Sequence, residues 1–587
     1  MELSLLTRLQ VYLRRNISLL LAGILLATGF TPIFSESPKQ EKYYIPPKNQ
    51  ALRNEAIGKP FWERKNINEI AESLINSMTL PEILGQIFFL GYLGKTPSDE
   101  IKMWIKERDA GGIKIFTRNV KDLKTLAESI AEMQKLAVSN RYGIPLLIAT
   151  DQEGGWVRHI KQETSVTPGN LALGAEGNPN DAYKTGYYIG LELKKLGINM
   201  NFAPTADVYT NPKASVIGPR AFSSDPVKTG LLASAYFKGM EKAGIICTAK
   251  HYPGHGDADK DSHGFLPIIS SDFKTLWERD LVPYRFLIRE GLPAIMSGHL
   301  AFPKITGKDM PSSLSPLFQR EILREKLGFK GIIVTDDMEM GGITRTGLTT
   351  AEGCKIALEA GNDMVLISHS PRVQEETWNY LLKAAHNDKN FFRIVKEAAK
   401  RVIITKLKYL RNFPLIPDPK GIAKRIRPEG ADDFFFNAAC RSVTVIRAKQ
   451  IPFRPRKDQK ILLVGQFHEF LQEGKRRLPG ADTYFYHFSP FYHAHKATIK
   501  KIQSLAKNYD TIIFCLANFN SMDVLKSLEG MKEKIIVISA LTPVYLDYLP
   551  WVQTAIAVYG MGENSFMAGF GALMGDFTPE GLLPIKF

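Results

Sequence analysis

Three histidines and three aspartates lie between Lys250 and His263, in the stretch KHYPGHGDADKDSHGFLP. Two chemistries use such a mixture, metal binding and proton transfer. Metal binding fits poorly. His251 and His255 are four apart, but Pro253 and Gly254 break the helix that would set both on one face. Asp257, Asp259 and Asp261 alternate as in a calcium loop, yet the sixth place holds Ser262 instead of glycine and the twelfth Ile268 instead of glutamate. No metal site and no cofactor are expected. Proton transfer fits better. In an extended or turning loop, Asp261 can take the proton on one ring nitrogen of His263, leaving the other nitrogen to face a substrate in a fixed tautomer. The bland reading, a surface contact between loop residues, is weakened by the density of Gly, His and Asp directly after an apolar run.

A second constellation is GFKGIIVTDDMEM, Gly328 to Met340, where an apolar run ends in Asp336 and Asp337. A carboxylate at a strand terminus can be held rigidly and attack an anomeric carbon, while its neighbour orients it or caps the next helix. In PLLIATDQEGGWVRH, Pro145 to His159, Asp151 closes a run and can hold two sugar hydroxyls, with Gly154 and Gly155 allowing close backbone approach. GPRAFSSDP, Gly218 to Pro226, offers Arg220 as a donor of several hydrogen bonds.

The elements that must carry these residues follow from the apolar pattern. Strand-like runs appear at 87–92, 112–117, 145–151, 200–208, 245–252, 294–300, 331–338 and 364–368, and helical patterns such as 123–137 and 181–196 separate most of them. Such alternation predicts a parallel sheet, and about eight units over roughly 300 residues predict a (β/α)8 TIM-like barrel. Asp151, Asp207, Lys250, His251, His299, Asp336 and Asp337 all fall at the C-terminal ends of the runs, the face on which barrels build their sites. An open doubly wound sheet would also use strand ends, but no Gly-rich phosphate loop follows the first run. A Pro-rich basic stretch, 412–428, reads as a linker. Runs at 460–465, 511–516, 534–539 and 554–560 then predict a smaller three-layer α/β domain. The expected layout is a catalytic barrel over 61–410, a linker over 411–435 and an α/β domain over 436–587, after an export segment at 1–35 and a loose segment at 36–60.

DQEGG, NFAPTADV, GPRAFSSDP, KHYPGHG, DSH and TDDMEM occur here in the order seen in glycoside hydrolase family 3. The chain resembles that family from about residue 70 to 410, and the DSH element resembles its β-N-acetylhexosaminidase branch. The resemblance implies a retaining double displacement with Asp336 as nucleophile and His263, partnered by Asp261, as acid/base. It further implies sugar contacts from Asp151, Arg220, Lys250 and His251, with His299 nearby. One departure stands out: the family's arginine eight residues after the Asp of DQEGG is His159 here, with Arg158 one residue earlier. Either Arg158 reaches in from a shifted loop or a donor to the sugar is lost.

The substrate class implied is a glycan ending in N-acetylglucosamine, such as a muropeptide, cut by an exo-acting hydrolase. A phosphorylase on the same fold, a β-glucosidase of the family and an inactive peptidoglycan-binding protein are the alternatives. The β-glucosidases generally lack the Asp-Ser-His element, and the inactive reading conflicts with an intact set of catalytic residues.

Composition is consistent with this reading and excludes others. The chain has 587 residues, 44% hydrophobic and 23% charged, which suits a folded protein of more than one domain. Net charge is +16, but the cations are scattered with no dense block or basic-aromatic motif, so no nucleic-acid partner is expected. The four cysteines, Cys247, Cys354, Cys440 and Cys515, are far apart and predict free thiols. At the start, Arg8, Arg14 and Arg15 precede an apolar run over 17–30, then a polar, Pro-containing stretch. This is the order of a secretory signal, and a run of about 14 residues is short for a membrane span of about 20. An exported protein, periplasmic, cell-envelope or extracellular, is expected, with an uncleaved membrane anchor over 17–30 and peripheral cell-wall association as the alternative to cleavage.

Overall fold

The computed structural model describes residue 56 and residues 58–489 and 492–586. The export segment and nearly all of the loose segment lie outside these residues. No helix among the described residues is long and apolar enough to cross a membrane.

Eight parallel strands close into a barrel: β1 (Phe88–Leu90), β2 (Gly112–Ile115), β3 (Leu147–Thr150), β4 (Met200–Asn201), β5 (Ile246–Tyr252), β6 (Ala294–Ser297), β7 (Ile332–Asp337) and β8 (Met364–Ile367). Each pairs with its neighbours in the chain, and β8 closes on β1 through Phe88 to Val365 and Leu90 to Ile367. These strands are almost wholly buried because helices cover the outside and side chains fill the inside, which is why they read as apolar runs. The fourth run is shorter than its sequence suggests. Pro204 has no N–H to give, and regular pairing stops at Asn201.

The outer helices start and stop where their sequences say. In Leu123–Ser139 the Asp122 side chain accepts from the Thr125 N–H, and Leu126, Ile130, Met133 and Ala137 form the buried stripe. Pro226–Ala243 begins at Asp225, which accepts from the Lys228 N–H, and ends at Gly244 in the left-handed region.

The Pro-rich stretch is not a free tether. It carries a short helix, Ile422–Arg425, and Leu415, Ile422 and Ile426 are buried in the barrel's core. A helix, Ala431–Ser442, leads into the second sheet of β9 (Thr444–Ala448), β10 (Ile461–Gly465), β11 (Asp482–Phe485), β12 (Thr511–Leu516), β13 (Ile535–Ser539) and β14 (Thr554–Ala557), ordered β9-β14-β13-β12-β10-β11. Only β9 runs antiparallel. Alternate residues of β10, β12 and β13 enter two different cores, one on each face. One of those cores also takes in Leu171, Tyr209, Ala214, Ile217 and Ala221 from barrel loops. The second domain is therefore seated on the loops that carry Arg220.

Candidate active site

Residues from six strand ends converge at the C-terminal mouth of the barrel. At its floor, Asp151 follows β3 and receives Lys250 Nζ from β5 at 2.5 Å and Lys114 Nζ from β2 at 2.9 Å. Lys250 also meets Glu153 at 2.7 Å. Glu153, fully buried, takes a two-pronged contact from Arg220, Nε at 3.0 Å and Nη2 at 2.8 Å. Burial alone would raise both acids. Lys114 and Lys250 instead hold Asp151 well below the usual carboxylate range, and Arg220 with Lys250 holds Glu153 near 2. Two carboxylates and three basic side chains thus form one connected network.

On the next wall, His251 Nδ1 lies 2.8 Å from Asp207 Oδ2 and its Nε2 lies 3.1 Å from Arg220 Nη2. A guanidinium can only donate, so Nε2 is the acceptor of this contact and Nδ1 the donor to Asp207. Asp207 also accepts from the N–H groups of His251 and His255.

The altered pair after DQEGG resolves in favour of the histidine. The backbone after Asp151 folds into a short ribbon, Gln152–Gly154 with Val157–Arg158. Successive side chains leave it on opposite sides. Arg158 Nη1 donates to the Ser165 carbonyl at 2.8 Å, next to Glu192, whereas His159 Nε2 lies 3.3 Å from Asp151 Oδ2. Arg158 does not join the cluster; His159 does. His299, the other expected sugar contact, is fully buried with Nδ1 on Ser313 Oγ at 2.8 Å and Nε2 on the Asp337 carbonyl at 3.1 Å. Both its nitrogens are committed, so it braces the end of β7 and has none left for a sugar.

Asp336 differs from every other acid at the mouth. It is partly exposed, and among the described residues its one hydrogen-bond partner is the Asp337 N–H at 2.8 Å. Burial opposes its charge, but His251, His299, His263 and Lys114 around it hold its pKa well below the ordinary value. Its neighbour Asp337 turns away, accepting from the Glu339 N–H and standing 3.3 Å from His369.

His263 sits on the loop after β5, its side chain 69% exposed, with Nδ1 2.6 Å from Asp261 Oδ1. The same oxygen accepts from the His263 N–H at 2.9 Å. The side-chain hydrogen bond from the ring to Asp261, ahead of all other influences, raises the pKa of His263 above the usual histidine value. The ring is thereby oriented, kept basic and left with Nε2 outward.

Sequence reasoning passed over Lys114 and Glu153 and named His159 only as a departure from the family pattern. A lysine inside the otherwise apolar β2 was the signal for the first, and Glu153 stood inside DQEGG itself. Glu153→Ala is expected to leave Lys250 and Arg220 competing for fewer anions. Breaking such a buried pair costs about 3–5 kcal/mol, and urea unfolding of the variant should show that loss.

The sequence matches the model of the glycosyl hydrolase family 3 N-terminal domain over residues 74–405. It is 38% identical over 261 residues to Beta-hexosaminidase A of Pseudoalteromonas piscicida, a match spanning 42% of this chain and only 44% of that protein. It is 33% identical over 293 residues to Beta-hexosaminidase of Thiobacillus denitrificans, covering 49% of this chain and 79% of the relative. Among solved structures, a glycoside hydrolase family 3 beta-N-acetylglucosaminidase from Paenibacillus sp. str. FPU-7 superposes with a TM-score of 0.80 at 29% identity, covering 87% of this chain and 99% of the other. Beta-glucoside phosphorylase BglX, at 22% identity and a TM-score of 0.74 over 91% of this chain and 99% of its own, shares the fold. With its barrel, its strand-end site and a family match across more than half its length, the chain belongs to glycoside hydrolase family 3.

Proposed function

We propose that this protein is a retaining, exo-acting β-N-acetylglucosaminidase that releases terminal N-acetylglucosamine through a glycosyl-aspartate intermediate. The observation that carries the reading is the contrast between carboxylates. Asp151 and Glu153 are locked to cations and Asp207 to His251 and backbone N–H groups, whereas Asp336 is ionised and, among the described residues, in no ion pair. A nucleophile needs that combination. Asp336 attacks the anomeric carbon as protonated His263 gives its proton to the leaving oxygen. The same histidine, now neutral, then takes a proton from the water that attacks the glycosyl ester, which returns Asp336 free. Lys250, Arg220 and Asp151 supply the donors and acceptors for the ring hydroxyls of the bound sugar, with His251 holding Arg220 in place. The names of the relatives support the N-acetylhexosamine assignment. Muropeptides are the glycan class proposed, with the enzyme exported across the cytoplasmic membrane, as the pattern of residues 8–30 suggests.

The test compares 4-nitrophenyl N-acetyl-β-glucosaminide with the matching β-glucoside. A preference of about 100-fold or more in kcat/KM for the acetamido sugar is expected, since polar groups built for a missing substituent would be left unpaired. Equal rates on the two would sink the acetamido assignment, and a glycosyl phosphate as main product in phosphate buffer would sink hydrolysis.

A further inference from the structure

We infer that Gly341 and Gly342 form a latch that ties the acid/base loop to the strand bearing the nucleophile, fixing His263 relative to Asp336. The inference rests on the proton-transfer role proposed for His263. β7 ends at Asp337, and a turn leads into the short helix Gly341–Thr344. There the Gly341 N–H donates to the His263 carbonyl at 2.9 Å, and the Gly342 N–H donates to the Ser262 carbonyl at 3.0 Å. Two successive backbone donors therefore hold two successive carbonyls of the Asp-Ser-His element.

Side chains add to the same contact. Ser262 is buried, its hydroxyl 3.0 Å from His255 Nε2, so it pegs the loop from below. Arg345, at the end of the same short helix, lies over the face of Phe265, 4.6 Å from the ring centre. Phe265 is 49% exposed, and Lys260 Nζ, from its own loop, also lies 5.9 Å from the ring centre.

The approach is close enough to demand glycine. A methyl group on Gly341 would stand 2.6 Å from the Gly264 carbonyl carbon and 2.7 Å from its oxygen. One on Gly342 would stand 2.7 Å from the His299 Cβ. The first obstacle is the backbone of the loop, so Gly341→Ala must push the segment bearing His263 away from β7. His263 is otherwise mostly exposed, and its bond to Asp261 is internal to the loop and travels with it. The latch, not the dyad, sets the distance from acid/base to nucleophile.

A positioning role predicts selective damage. Cleavage of a 2,4-dinitrophenyl N-acetyl-β-glucosaminide needs no protonation of the leaving group, whereas cleavage of the phenyl glycoside does. Gly341→Ala should lower kcat/KM for the phenyl substrate by about 10- to 100-fold, part of the 10²–10⁴ that acid catalysis supplies, and for the dinitrophenyl substrate by less than about 3-fold. In a His263→Ala background, Gly341→Ala should add no further loss on the phenyl substrate, because the group it positions is gone. Equal losses on both substrates in Gly341→Ala, unchanged rates on both, or an additive loss in the double variant would overturn the latch alone. Equal losses on both substrates in His263→Ala would overturn the proton-transfer reading and the latch with it. Should Gly341→Ala not fold, Arg345→Ala decides, since it alters an exposed side chain only. A 3- to 10-fold loss confined to the phenyl substrate is expected of it, roughly 1 kcal/mol, and wild-type rates on both substrates would overturn the latch.

Discussion

Asp336→Ala is expected to lower kcat/KM on any aryl N-acetyl-β-glucosaminide by about 10⁴-fold or more, with little change in the affinity for free N-acetylglucosamine. The size follows from how little else at the mouth can replace it. Asp151 and Glu153 are held by Lys114, Lys250 and Arg220, Asp207 by His251, and Asp337 is folded into the turn after β7. Removing one of those would loosen the sugar's seat; removing Asp336 takes away the group that forms the bond. Alanine also leaves a space on the far side of the anomeric carbon. Azide should enter it and restore turnover, and the product should be the α-glycosyl azide, since a single displacement inverts a β-glycoside. A β-azide, or no rescue together with near-normal activity, would remove Asp336 from the nucleophile's role. The wild-type pH profile tests the same assignment from the acid side. Asp336 must be ionised to attack, and the histidine rings and Lys114 around it hold its pKa well below the ordinary carboxylate value. The acid limb of kcat/KM should therefore lie below about pH 4, the region where an unperturbed aspartate would begin to protonate.

The barrel was legible because its strands are covered on both sides. A strand buried twice has nowhere to place polar residues except its end, so the apolar runs and the acids that close them mark both fold and site. The strands that escaped notice, β9 and β11, are sheet edges with exposed side chains, and edge strands have no reason to be apolar. The Asp261–His263 pair and Asp336 could be read from local spacing and strand ends. Lys114 was harder: a lysine inside apolar β2 is a signal, but its partner Asp151 comes from a different strand and local spacing does not join them. His159 and Arg158 were beyond reach for a similar reason. Which of two adjacent residues faces Asp151 depends on the register of a short two-stranded ribbon, and a shift by one exchanges them. His299 shows the converse: a strand-end histidine looked like a ligand for sugar, and its neighbours Ser313 and Asp337 had already used both nitrogens.

Loss of His263 should damage the reaction according to how much the leaving group needs a proton. His263→Ala is expected to lower kcat/KM for the phenyl N-acetyl-β-glucosaminide by about 10²–10⁴-fold, with a far smaller loss on the dinitrophenyl substrate. For the latter the first step no longer needs an acid, but the second still needs a base to activate water. The glycosyl-Asp336 ester should then accumulate, giving a burst of dinitrophenolate and a mass increase of one N-acetylhexosaminyl group on the protein. Azide, which needs no base, should discharge that ester as the β-azide, the opposite anomer to the one expected from Asp336→Ala. The pH dependence carries the sign of the Asp261 contact. His263 acts first as an acid, so kcat/KM holds while the ring is protonated and falls as pH rises through its pKa. Asp261, hydrogen-bonded at 2.6 Å, raises that pKa above the usual 6.5, and the alkaline limb should lie correspondingly high. Asp261→Asn withdraws the charge and should move the limb back toward acid pH, with a smaller loss of rate at the pH optimum than His263→Ala. An alkaline limb that stays put in Asp261→Asn would mean that some group other than His263 delivers the proton.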